Sequence, residues 1–127
     1  MSEKPPYQKM RIKAGTTVRF INPPPDVEKL LGGLPEDISV QSIQSSPVDT
    51  ILLFANNRKE LAEHLPVWSR VVSYDTDLWV LYHKGTSKIK TDIHRDSIND
   101  YAKSLGLQGV FMISINDDWS ALRLKNQ

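Results

Sequence analysis

Two short segments, Thr50 to Ala55 (TILLFA) and Asp77 to His83 (DLWVLYH), are apolar on both of the sides that a strand presents. Side chains of a strand alternate between the two faces of a sheet, so a segment without a polar side needs cover above and below. Parallel strands in the middle of a sheet, with helices on both faces, meet that need. Between the two segments, residues 57 to about 73 place Leu61, Leu65, Trp68 and Val72 on one helical stripe with Ala62 beside it, giving a strand, helix, strand unit. Pro66 is expected to bend this helix or end it near Leu65.

The rest of the chain extends the pattern. Thr17 to Ile21 (TVRFI) is a β-branched and aromatic run stopped by Asn22-Pro23-Pro24-Pro25, which cannot continue a ladder. Asp26 is placed to cap a short helix with Val27, Leu30, Leu31 and Leu34 inward. Ile38 to Ile43 reads as a modest strand near an edge. Only residues 44 to 49 separate it from TILLFA, a reach of at most about 20 Å, whereas a parallel crossover takes a dozen residues or more. That strand is therefore expected to be antiparallel, very short or outside the main sheet. Ile93 or His94 to Leu105 reads as a helix capped by Thr91 or Asp92, with Ile93, Ile98, Tyr101, Ala102 and Leu105 inward and Gly106 at its exit. Gly109 to Ile115 then turns through Asn116-Asp117-Asp118 into Trp119 to Lys125, a C-terminal antiparallel hairpin. The expected fold class is α/β, a three-layer sandwich with a mixed, mostly parallel central sheet.

A chain of 127 residues with 24% charged and 39% hydrophobic side chains suits one soluble domain with a real core. Residues 16–127 are expected to form it, preceded by a flexible basic leader at 1–15, where Pro5, Pro6 and polar neighbours offer no obvious face to bury. A net charge of +1 gives no global attraction to nucleic acid or to an acidic membrane. The longest apolar runs, Ile51 to Ala55 and Leu78 to Tyr82, fall far short of the roughly 20 residues of a membrane span. No secretory signal is recognisable, and there is no cysteine, which removes disulfides, thiol catalysis and thiolate metal sites together. A cytoplasmic location is the expectation.

Ligands of open α/β sheets sit outside the carboxyl ends of the strands, so the informative loops are Asn22 to Asp26, Asn56 to Arg58 and Lys84 to Asp92. The last is richest. Lys84, Thr86, Ser87, Lys88 and Lys90 precede a helix carrying Arg95, a set that can hold a phosphate or carboxylate. The commoner role of such a stretch is a solvated loop whose hydroxyls satisfy turns and a cap. His83 and Asp92 are the candidates for proton transfer. His64, His83 and His94 have no i, i+4 spacing and no carboxylate cluster at ligand intervals, so no metal site is expected, and no cofactor either. Asn22-Pro23-Pro24-Pro25-Asp26 is similar to the N-P-P-aromatic loop of amino-group methyltransferases but lacks the aromatic, and no glycine-rich turn follows the first strand. Asn56 and Asn57 stand where a phospho-receiver needs its acceptor Asp. Trp119 and the acidic turn before it suit a ligand wall or a dimer contact, although covering the sheet's end is the simpler use of so large a ring.

Leu78 to Gly85 (LWVLYHKG), Thr91 to Asp96 (TDIHRD) and Asp117 to Leu124 (DDWSALRL) resemble a small bacterial family of domains of unknown function whose chain closes on D-x-W-S-x-x-R-L. The resemblance covers about the last 50 residues well and the first 75 in outline. It implies bacterial origin and a Rossmann-like domain, and it supplies no activity. His83 stands where some relatives have proline.

Together these features favour a non-enzymatic binding or interaction module, its ligand an anionic small molecule or a protein partner, with nucleic acid disfavoured. The competing reading is an enzyme or enzyme remnant acting on a phosphorylated or carboxylated metabolite, with Lys84, Lys88 and Arg95 clamping the anion and His83 or Asp92 moving the proton. A monomer, or a homodimer pairing through the C-terminal edge strand, is expected.

Overall fold

The computed structural model describes residues 4–40, 48–70, 76–85 and 91–126. The chain runs through α1 (Pro6–Lys9), β1 (Thr17–Ile21), α2 (Val27–Leu30), β2 (Ser39–Val40), β3 (Thr50–Ala55), α3 (Arg58–Ser69), β4 (Asp77–His83), α4 (Arg95–Ser104), β5 (Leu107–Ser114) and β6 (Trp119–Asn126). The strands form one six-stranded sheet in the order β2-β1-β3-β4-β6-β5. β2, β1, β3 and β4 are parallel, and β6 is antiparallel to both β4 and β5. This is the mixed, mostly parallel sheet with a C-terminal antiparallel hairpin that the patterning predicts.

β3 and β4 pair in register from Thr50↔Asp77 to Ala55↔Tyr82, and their apolar character on both faces is used in full. Leu52, Phe54, Trp79 and Leu81 pack with Met10, Val18 and Leu31 on one side. Ile51, Leu53, Leu78, Val80 and Tyr82 pack with Leu61, Leu65, Trp68, Ile98 and Ala102 on the other. A fully buried Leu or Phe contributes about 1.5–3 kcal/mol relative to exposure, so this central pair anchors the sheet.

Several local expectations change. β6 is not an edge. It lies between β4 and β5, buried along most of its length, because Ala121 and Trp119 serve one core cluster while Leu122 and Leu124 serve the other. The outer strand is β5, so a dimer contact through a free C-terminal strand has no edge on β6 to use. Helix α3 continues through Pro66 to Ser69, since proline this near the end leaves only the Ala62 carbonyl without its helical donor, on an exposed turn. The cap of α4 is His94, which accepts from Ser97 N in a reciprocal capping box, and neither Thr91 nor Asp92 fills that place. Of the alternatives for the Ile38 to Ile43 strand the very short one holds: β2 has two residues, parallel to β1, with 41–43 outside the described residues.

The basic leader also carries structure. Tyr7 N donates to Leu31 O at 3.1 Å, and Met10 and Ile12 are buried in the core. Arg11 between them holds φ +61°, a left-handed turn at the exit of α1. Gly32 accepts this docking. It has φ +75°, and an added Cβ there would stand 2.8 Å from Pro5 Cβ, so only glycine lets the leader lie so close.

Candidate functional site

From β1 the chain moves outward to β2, then returns past β1 to β3. The strand order reverses between β1 and β3, and the carboxyl ends of these strands with that of β4 define the crevice where α/β sheets bind ligands. Asn22 leaves β1 at φ +57°, and its Nδ2 donates to Phe54 O at 3.0 Å and to Glu60 Oε1 at 2.8 Å. Asn56, just after β3, donates to the same Glu60 oxygen from its backbone N and from Nδ2, each at 2.8 Å. Asn57 caps α3 by accepting from Glu60 N at 2.9 Å. Glu60 therefore ties β1, β3 and α3 together. Burial pulls its carboxyl upward, but the hydrogen bonds from Asn56 and Asn22, helped by the His64 charge, hold it below its usual range.

Orientation propagates from there. With Asn56 Nδ2 committed to Glu60, its Oδ1 faces His83 Nε2 at 2.6 Å, so Nε2 carries the proton. His83 Nδ1 is buried, on the side of the Asp118 backbone. Burial pushes the imidazole below its ordinary value, against the opposing pull of Asp118 and Glu60, and the ring packs 4.1 Å from that of Trp119. The neutral tautomer is thus set by a chain of bonds that begins at Glu60.

Lys84 and Arg95 come to the other face. Tyr82, Ser120 and Ser114 form one cross-strand row over β4, β6 and β5, and Lys84 Nζ donates to Ser114 Oγ while its backbone N donates to Asp118 O at 2.8 Å. Burial pushes the Tyr82 phenol up, and the charge of Arg95 opposes that shift, so Arg95 flanks the same row from α4. Arg95 and Met112 line a cavity of about 330 Å³ with Asp96, Asn99 and Leu122. Asp92 is elsewhere: its Oδ1 accepts from Arg58 N at 2.7 Å at the start of α3, and Thr91 Oγ1 donates to Asn56 O at 2.8 Å. His83 and Asp92 do not meet. Thr86, Ser87, Lys88 and Lys90 lie outside the described residues. No group of three His, Asp or Glu able to hold a metal occurs among the described residues, and no described helix is long and apolar enough to cross a membrane.

Sequence patterning located the loops but missed Glu60. Its signal is the Asn57-x-x-Glu60 spacing of a capping box, which marks the start of α3 and says nothing of the reach to Asn22.

No family model matches the chain, and no curated protein matches it. Solved structures share its fold. A protein of the NADB-Rossmann superfamily from Streptococcus agalactiae aligns over 99% of this chain and 69% of its own, at 9% identity and TM-score 0.54. A TehB-like S-adenosylmethionine-dependent methyltransferase from Corynebacterium glutamicum aligns over 94% and 85%, at 8% identity and TM-score 0.58. A methyltransferase of the same cofactor class from Aquifex aeolicus aligns over 94% and 88%, at 12% identity and TM-score 0.58. The residues here do not fit a nucleoside cofactor held by the first turn. Pro23, Pro24 and Pro25 have no N–H to donate, no glycine lets the backbone approach, and the Asn22 amide is already bonded across the crevice. The fold is Rossmann-like.

Proposed function

We propose that this chain is a binding module on a Rossmann-like scaffold that takes a small anion, a carboxylate or phosphate monoester, at the end of β4, without a nucleoside cofactor. The observation that carries the reading is the closed switch point: Asn22, Asn56 and Glu60 satisfy one another across the crevice. Among the described residues, Lys84 and Arg95 are the cations that flank the Tyr82 row at this end of the sheet. Guanidinium and ammonium groups around a phenol and two serine hydroxyls offer both charge and directional donors to an anion. Thermal-shift titration with phosphate monoesters and dicarboxylates tests this. Stabilisation that disappears in Lys84→Ala/Arg95→Ala supports it; stabilisation by none of these compounds rejects it.

A second reading, an enzyme acting on the same class of anion, draws on His83. A neutral imidazole, which burial favours here, is in the right state to accept a proton. His83→Gln separates the two readings, because it retains the hydrogen bond to Asn56 and the anion response while abolishing any turnover that depends on Nδ1.

A further inference from the structure

At the opposite end of the sheet, Trp79, Arg123 and Phe111 occupy one cross-strand row over β4, β6 and β5. Together with Lys9, Arg11, Lys125 and Val110 they line a cavity of about 270 Å³. Among the described residues its walls carry four cationic side chains and no carboxylate. Asp77 is engaged by Arg123 through Nη2.

The hydrogen-bonding inventory is equally one-sided. Trp79 is 1% exposed and its indole Nε1 has no partner. Arg123 Nε is likewise buried and unpartnered. An indole N–H, a guanidinium and an ammonium are donors only, so the charged side chains and the two unpartnered N–H groups around this cavity all present donors. The remaining wall is apolar. Phe111 is 52% exposed and meets Trp79 edge to face, with ring centroids 6.3 Å apart and planes at 75°. The α1 exit places Lys9 and Arg11 opposite, held by the burial of Met10 and Ile12 on either side of Arg11.

We infer that this cavity is a second binding site, for a small planar anion: an aromatic or heteroaromatic ring bearing a carboxylate or a phosphate. The anionic group takes the four cations and the orphaned N–H donors, and the ring stacks on Phe111. The volume, just under the usual range for ligand pockets, suits a single ring with its substituent. This goes beyond the reading at the end of β4: the two cavities meet at Val110 and Phe111 but share none of their cations, so each is tested separately.

Calorimetric titration of the full chain with benzoate and phenyl phosphate, against inorganic phosphate and benzyl alcohol, tests the inference. The aryl anions are expected to bind at least tenfold more tightly than either control and to perturb tryptophan emission. Lys9→Ala/Lys125→Ala is expected to weaken them at least tenfold, Trp79→Phe to weaken them by a smaller factor while keeping the ring, and Lys84→Ala/Arg95→Ala to leave them unchanged. Absence of aryl-anion binding to the wild type overturns the inference. So does equal affinity for inorganic phosphate, affinity unchanged in Lys9→Ala/Lys125→Ala, or binding only of an acidic peptide along the β5 edge.

Discussion

Asn56 gives Glu60 Oε1 both its backbone N–H and its side-chain amide, each at 2.8 Å. Two donors from one residue converge on a single carboxylate oxygen that Asn22 also uses. In a sheet of this class the space between β1 and β3 ordinarily receives a ligand's polar groups. Here the chain supplies those groups itself, and this exchange explains how a Rossmann-like fold persists with three prolines after its first strand.

Glu60→Ala is expected to destabilise the domain by about 2–3 kcal/mol, since hydrogen bonds to a charged acceptor contribute about 1.5–3 kcal/mol and their donors are left partly buried. Glu60→Gln should cost less. Urea unfolding monitored by circular dichroism measures both.

The depressed Glu60 carboxyl also sets a pH dependence. The unfolded chain, with its carboxyl near 4.5, binds the proton more readily than the folded one. Stability is then fully present above that value and is lost as pH falls through and below it. A Glu60→Gln variant should show a flatter decline in Tm below about pH 4.5 than the wild type.

His83 acts in the same direction at higher pH. Burial favours its neutral form in the fold, so the unfolded chain takes up the proton first, near 6.5, and stability present above that pH falls as acid is added. His83→Gln is expected to reduce the loss of Tm between pH 7.5 and 5.5. An unchanged slope would remove His83 from the account.

Met10 is 0% exposed, so Met10→Ala should cost about 2–4 kcal/mol, the usual range for truncating a buried aliphatic side chain. Gly32→Ala should cost about 1–3 kcal/mol for overpacking against Pro5, with the positive φ adding to it. A leader that floated free of the domain would leave both variants at wild-type stability in the same urea experiment.

How much of this was legible in the sequence differs by element. TILLFA and DLWVLYH announced β3 and β4 because a strand buried on both faces leaves no polar side to read otherwise. β6 was harder: Arg123 and Lys125 gave it an apparent solvent face, yet Arg123 is turned to Asp77 and the strand is enclosed by its neighbours. Met10 and Ile12 are isolated apolar residues among charges, and their burial beside Leu31 depends on the leader docking back on the α2 exit. The loops around the switch point were found from strand ends alone. The Glu60 bridge depends on Asn22 and Asn56 being adjacent across two strands, a contact over 38 positions of sequence for Asn22 that no local spacing encodes. The row of Trp79, Arg123 and Phe111 likewise exists only through register.

Titration calorimetry of the wild-type chain with S-adenosylmethionine is the most direct check on the closed switch point. With the first turn built from prolines and its amide committed to Glu60, no saturable heat is expected up to millimolar ligand. Saturable binding at micromolar concentrations, weakened by changing Asn22 or Asn56, would contradict it.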